Sequence, residues 1–141
     1  MTITTALTAI SGTVAGVSGI KRAPDNPMEN INEYPFALIY VMDGTLNIGP
    51  VGTKKSLLNI AIDLLTPRRD ISLDMAILTP YLDSIPLALV SEVSPGGDVF
   101  SGNINTFGSI HLEFLPMYDY AGAQMIGYRF IMEDVKLLVN L

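Results

Sequence analysis

The chain has 141 residues, 49% hydrophobic and only 16% charged, against about 25% charged in an average globular chain. This balance excludes intrinsic disorder, and the length predicts one domain over residues 1–141 that buries enough surface to fold without covalent staples. A net charge of −6 argues against a dedicated nucleic-acid binder, and zero cysteines exclude a disulfide framework, a thiol nucleophile and a cysteine-held metal.

From Thr2 to Ile20 the sequence carries no charge. Seven Thr and Ser residues and three glycines interrupt the run, so no membrane span is expected. The first basic residue, Lys21, stands at the wrong end for a secretory signal. Ile3, Leu7, Ile10, Val14 and Val17 recur at helical spacing and define one apolar stripe. The remaining face holds Thr, Ser, Ala and Gly, without the Lys and Glu of a usual solvated surface. Two readings stand side by side: a weak exposed helix, and a helix in contact with another molecule.

Lys21 to Tyr34 is polar, contains Pro24 and Pro27, and reads as a loop. Phe36 to Met42 is a continuous apolar run and predicts a buried strand. Asp43-Gly44 is a strong hairpin signal, so a short strand, Thr45 to Ile48, is expected to return antiparallel. Gly49, Pro50 and Gly52 predict the next turn. Between Lys54 and Thr66 the helical and alternating patterns compete. Leu58, Ile60, Ile62 and Leu64 alternate with Asn59, Ala61 and Asp63, and Pro67 closes the run, which favours a strand.

Asp70 predicts a helix N-cap, with Asp74 near the positive end of the dipole. The helix runs from Ile71 through Leu82 and towards Val90, with Pro80 and Pro86 expected to bend or split it. Ser94 to Asn103 reads as a loop. Two alternating strands follow. Ile110, Leu112 and Phe114 oppose His111 and Glu113 in the first; Ile126, Tyr128, Phe130 and Met132 oppose Arg129, Ile131 and Glu133 in the second. Pro116 to Gln124 is expected to connect them, with Tyr118 and Tyr120 either meeting a partner or capping the sheet. The fold class is α+β: a mainly antiparallel sheet covered by helices on one side, preceded by an amphipathic helix.

No dinucleotide fingerprint, P-loop, nucleophile elbow, zinc motif or calcium loop occurs, so no cofactor or metal is expected and no catalytic residue is assigned. His111, the single histidine, shares a strand face with Glu113, and Arg129 on the neighbouring strand joins them. The trio reads as a surface cross-strand cluster, with a general base as the competing reading. Asp43, Asp63, Asp70, Asp74 and Asp83 are scattered, and a glycosidase-like pair is a matter of three-dimensional separation. Six of the eight basic residues fall in doublets, Lys21-Arg22, Lys54-Lys55 and Arg68-Arg69. These are either solvated loop ends or docking points for an acidic neighbour or passing nucleic acid.

Four segments together resemble the tail terminator proteins of long-tailed bacteriophages. They are the N-terminal helix with its Pro-containing loop; Tyr34-Pro35-Phe36-Ala37 leading into a strand and the Asp43-Gly44 hairpin; the alternating strand followed by Leu78-Thr79-Pro80-Tyr81-Leu82; and Leu115-Pro116-Met117-Tyr118 with Gly122 and Gly127-Tyr128-Arg129-Phe130. The resemblance implies a non-enzymatic virion protein, assembled in the host cytoplasm. It would form a homo-oligomeric ring, usually a hexamer, that caps the tail tube, ends its polymerisation and joins it to the head. The implied partners are copies of the chain itself, the major tail tube protein and a head completion or connector protein. DNA would pass through the lumen without sequence-specific binding, and no membrane is involved.

The family's contact positions are not motif-defined. Candidate interface residues therefore come from the pattern: Ile3, Leu7, Ile10, Val14, Lys54, Lys55, Arg68, Arg69, Tyr118 and Tyr120. The other functions left open are a different neck or completion protein, a small-molecule-binding module with a pocket between sheet and helix, and a hydrolase using His111 and a carboxylate.

Overall fold

The computed structural model describes residues 3–21, 23–24, 34–48, 53–93, 99–100 and 102–140. Helix α1 (Ile3–Ala15) forms from the N-terminal stripe, and strand β1 (Phe36–Ile48) follows. Strand β2 (Thr53–Pro67) confirms the alternating reading of that ambiguous stretch. Helices α2 (Ile71–Leu78) and α3 (Tyr81–Val90) come next, then strands β3 (Ile110–Tyr120) and β4 (Ala123–Asn140). The strands form one antiparallel sheet in the order β1-β2-β4-β3. The α+β class and the N-terminal helix are as expected from the sequence.

Asp70 caps α2: its Oδ1 accepts from the backbone N–H groups of Ser72 and Leu73, at 3.0 and 3.3 Å. Asp74 reaches backwards from the same turn, and its Oδ2 accepts from the N–H groups of Arg69 and Asp70. Its carboxylate thus satisfies donors that a helix start leaves unpaired, which explains a charged residue only 4% exposed. The helical stretch divides at Thr79-Pro80, where the proline nitrogen has no hydrogen to donate. Pro86 lies inside α3 without ending it.

Both hairpins differ from the sequence expectation in the same way. Asp43-Gly44 is not a turn: β1 continues through it, with a register shift between Val41 and Asp43, and pairs Ile48 with Lys54. A Cβ on Gly44 would stand 2.6 Å from the Leu57 carbonyl oxygen and 2.6 Å from Leu58 Cδ2. The glycine therefore serves close strand approach. Asn59 pins the irregularity: its Nδ2 donates to Asp43 Oδ1 at 2.6 Å, and its Oδ1 accepts from the Asp134 N–H. The predicted turn at Gly49, Pro50 and Gly52 lies outside the described residues, as does most of the Lys21–Tyr34 loop.

Likewise, Pro116 to Tyr120 is strand, with a register shift between Leu115 and Tyr118. The reversal is confined to Ala121 and Gly122, whose φ values of 51° and 83° are those of a tight turn matching the strand twist. Proline is tolerated at position 116 because β3 is an edge strand, where the missing N–H interrupts no ladder. Within the predicted Ser94–Asn103 loop, residues 94–98 and 101 lie outside the described set. Val99 and Phe100 are buried, and Val99 bridges to Val93 and Ile104.

The main core lies between the helices and one sheet face. Ile10 and Val14 of α1, Leu78 of α2, and Ile85 and Leu89 of α3 pack with Ile39, Ile60, Ile62, Ile126, Phe130 and Met132. Each fully buried aliphatic side chain contributes about 1.5–3 kcal/mol. The opposite face has a second, smaller cluster of Phe36, Leu38, Leu65 and Met125, covered by Tyr34, Tyr40, Leu115, Tyr118 and Tyr120.

Candidate functional site

One row of residues crosses all four strands on the face that no described helix covers, the helix-free face. Leu38 stands opposite Asp63, Asp63 opposite Arg129, and Arg129 opposite Glu113. Asp63 is completely buried, and its carboxylate is fully engaged. Its Oδ1 accepts from Arg129 Nε at 2.7 Å, and its Oδ2 accepts from an Arg129 terminal N–H at 3.2 Å. Tyr40 O–H donates to the same Oδ2 at 2.7 Å. Arg129 also lies 3.9 Å from Glu113.

The electrostatics follow from this packing. The bond to Asp63 holds the Arg129 guanidinium charged, raising its pKa further from the usual range. Burial, then the hydrogen bond to Asp63 and its negative charge, push the Tyr40 phenol above its ordinary 10.0. Tyr118 moves the same way, from burial first and Asp63 second. Both Asp63 oxygens are committed to Arg129 and Tyr40, so the row ties strands together. It does not present a carboxylate poised to accept a substrate proton.

Of the sequence-predicted trio, Glu113 and Arg129 are brought together, while Arg129 takes Asp63 as its main partner. His111 is exposed and shares a shallow depression with Met42, Asp43, Asn59, Ile131 and Glu133. Among the described residues, no group of three or more His, Cys, Asp or Glu could hold a metal ion. In the sequence Asp63 stands among the scattered carboxylates with no partner assigned, and Tyr40 is not singled out. The available signal was a lone charge in an apolar strand, Leu57 to Leu65, since such a charge is buried only with a partner.

The candidate interface residues separate into distinct environments. Ile10 and Val14 are wholly buried in this chain's own core, which corrects their assignment to an intermolecular contact. The stripe faces inward because it covers the sheet. Ile3 and Leu7, half-buried, pack against the same core. Lys55 and Arg69 are exposed, whereas the side chain of Lys54 lies outside the described residues. Arg68 is half-buried: its backbone N–H donates to the Gln124 carbonyl, and its Nε has no hydrogen-bond partner among the described residues. Tyr118 and Tyr120 belong to β3 and not to a loop. Tyr120 packs on Phe36 with ring centroids 5.7 Å apart, so these tyrosines cap the helix-free face.

The outward side of α2 and α3 is largely apolar, and that of α1 is uncharged. The three helices contain two charged residues, Asp74 and Asp83, and Asp74 is buried. Ile71, Leu73, Ile77, Leu87 and Val90 are 47–70% exposed on this layer. Ile71–Val90 is long and apolar enough, by length and composition alone, to cross a membrane. It is nevertheless divided at Pro80 and turns Leu78, Ile85 and Leu89 into the core. Between α1 and α3 runs an open groove of about 730 Å³ lined mostly by small residues, among them Gly12, Gly16, Ser84 and Ala88, together with Leu87 and Glu92.

Comparison with protein-family models and with curated protein sequences finds no match for this chain.

Proposed function

We propose that this chain is a structural assembly protein that acts as a tail terminator. Copies close into a ring, usually of six, that caps the tail tube of a long-tailed bacteriophage, ends its polymerisation and joins it to the head connector. DNA passes through the centre. The observation that carries this reading is the helical layer, whose outward surface presents five large apolar side chains and one exposed charge, Asp83. Large uncharged patches on a folded protein mark contact with other proteins. A subunit that meets copies of itself and neighbouring proteins needs such surfaces and no reaction centre. The specific assignment rests on the sequence resemblance, of which the hairpin at Asp43-Gly44 is no longer part.

Light scattering on the purified chain, alone and with tube protein, tests the assembly. A closed ring of about six subunits supports it. A species that stays monomeric under both conditions refutes it. Deleting the gene tests the role: tubes of uncontrolled length that fail to join heads are expected, and normal infectious particles would end the proposal.

A further inference from the structure

Among the described residues the sheet has two open edges, β1 at one end and β3 at the other. Each carries a regular six-residue run. In β1 it is Asp43–Ile48, beyond the register shift; in β3 it is Ile110–Leu115, ahead of the second shift and of Pro116. An edge strand keeps a row of backbone donors and acceptors without strand partners, and proteins usually blunt such edges with charge, proline or cover. Here Phe36–Ile39 at the base of β1 is sealed, whereas Met42–Ile48 is exposed and contains a single charge, Asp43.

The two runs match face by face. Gly44 stands opposite Leu58, a residue of the helix-side core, so Gly44, Leu46 and Ile48 lie on the helix side of the sheet. Leu112 and Phe114 stand opposite Phe130 and Tyr128, of the same core, and so also lie on the helix side. All four of these large side chains are exposed: Leu46 and Ile48 at 57% and 80%, Leu112 and Phe114 at 44% and 46%. On the other face, Asp43, Thr45 and Asn47 correspond to His111 and Glu113. Each run carries one acidic residue, Asp43 in the first and Glu113 in the second, and the first is bordered on β2 by two basic residues, Lys54 and Lys55. Lys55, opposite Asn47, shares the polar face with Glu113.

We infer that Asp43–Ile48 of one copy pairs with Ile110–Leu115 of the next, so that the sheet continues from subunit to subunit. The inference rests on the ring reading and names its contact. The occupant of each edge is a second copy because the complementary edge is found on this same chain, at the opposite end of the same sheet. Such a contact is heterologous, and a heterologous contact closes a ring when the rotation per subunit fits. Main-chain hydrogen bonds supply the adhesion. The Leu46, Ile48, Leu112 and Phe114 side chains set the register, since a slip of one residue moves every side chain to the wrong face.

A chain without cysteines allows a clean test. Leu46→Cys and Ile48→Cys are each mixed with Leu112→Cys or Phe114→Cys and oxidised. Cross-linked dimers are expected from at least one mixture and from no variant alone, and a variant carrying both cysteines of the linking pair is expected to give a ladder ending at the ring size. An oligomer by light scattering in which none of the four mixtures links, or in which a single variant links to itself, overturns the edge pairing and leaves the ring intact. A chain that remains monomeric throughout overturns both. The double variant Leu46→Lys/Ile48→Lys alters exposed side chains only. It is expected to keep its circular dichroism spectrum and weaken self-association about tenfold or more; unchanged association overturns the inference.

Discussion

The two faces of the sheet are held by different physics. On the helix side, α1, α2 and α3 cover Ile39, Ile60, Ile62, Phe130 and Met132, and the packing is almost wholly apolar. On the other side no helix stands over the sheet among the described residues. The buried centre there combines Phe36, Leu38 and Leu65 with an ion pair, Asp63–Arg129, roofed by tyrosines. Apolar packing loses stability gradually as atoms are removed, because each group contributes in proportion to the area it buries. A buried ion pair responds asymmetrically: losing one partner strands a charge, whereas losing both is close to neutral.

The sharpest way to break this contrast is Arg129→Leu, which leaves Asp63 buried without its counter-ion. Chemical denaturation is expected to show a loss of about 3–5 kcal/mol, and the double variant Asp63→Leu/Arg129→Leu is expected to recover most of it. If the double variant loses more than Arg129→Leu alone, the row contributes net stability and the asymmetry is wrong. On the helix side, Ile10→Ala is expected to cost about 2–4 kcal/mol with no partner substitution able to restore it. A loss under about 0.5 kcal/mol, the level of an ordinary surface substitution, would remove α1 from the core.

Gly44→Val probes the arm that both faces share. Its new side chain meets the Leu57 carbonyl and Leu58, so a loss of about 1–3 kcal/mol is expected from overpacking. An unchanged denaturation midpoint would mean that the strands separate there at no cost.

The smallest effect is in the pH dependence. Tyr40 and Tyr118 hold their protons above the ordinary 10.0, so above that pH the folded chain binds more protons than the unfolded one. Their contribution is complete below pH 10.0 and is lost as pH rises through the folded-state values. Urea midpoints are expected to fall with pH in that window, less steeply in Tyr40→Phe. An identical slope in the variant would detach Tyr40 from Asp63.

Some of this was legible in advance. The Asp70 cap, the break at Pro80, the alternation of β2 and the two-faced β3 and β4 are patterns spanning a few residues, and all are present in the structure. The hairpins were not. Asp43-Gly44 has turn chemistry, yet the pairing of β1 with β2 extends past it to Ile48, and the sum of ladder bonds outweighs one local preference. The interface reading of Ile10 and Val14 failed for a related reason. A helical stripe says that one side seeks apolar contact, and it does not say whether the contact belongs to the same chain.

The amino-acid order alone determined the helices, the strands and the side of each strand that is apolar, because backbone geometry repeats every two or 3.6 residues and side-chain character follows it. The tertiary structure decided where the strands reverse, which surfaces stay uncovered, and that Asp63 meets Arg129 from 66 residues away. Those outcomes depend on register between distant segments, and register is set by the packing of the whole sheet.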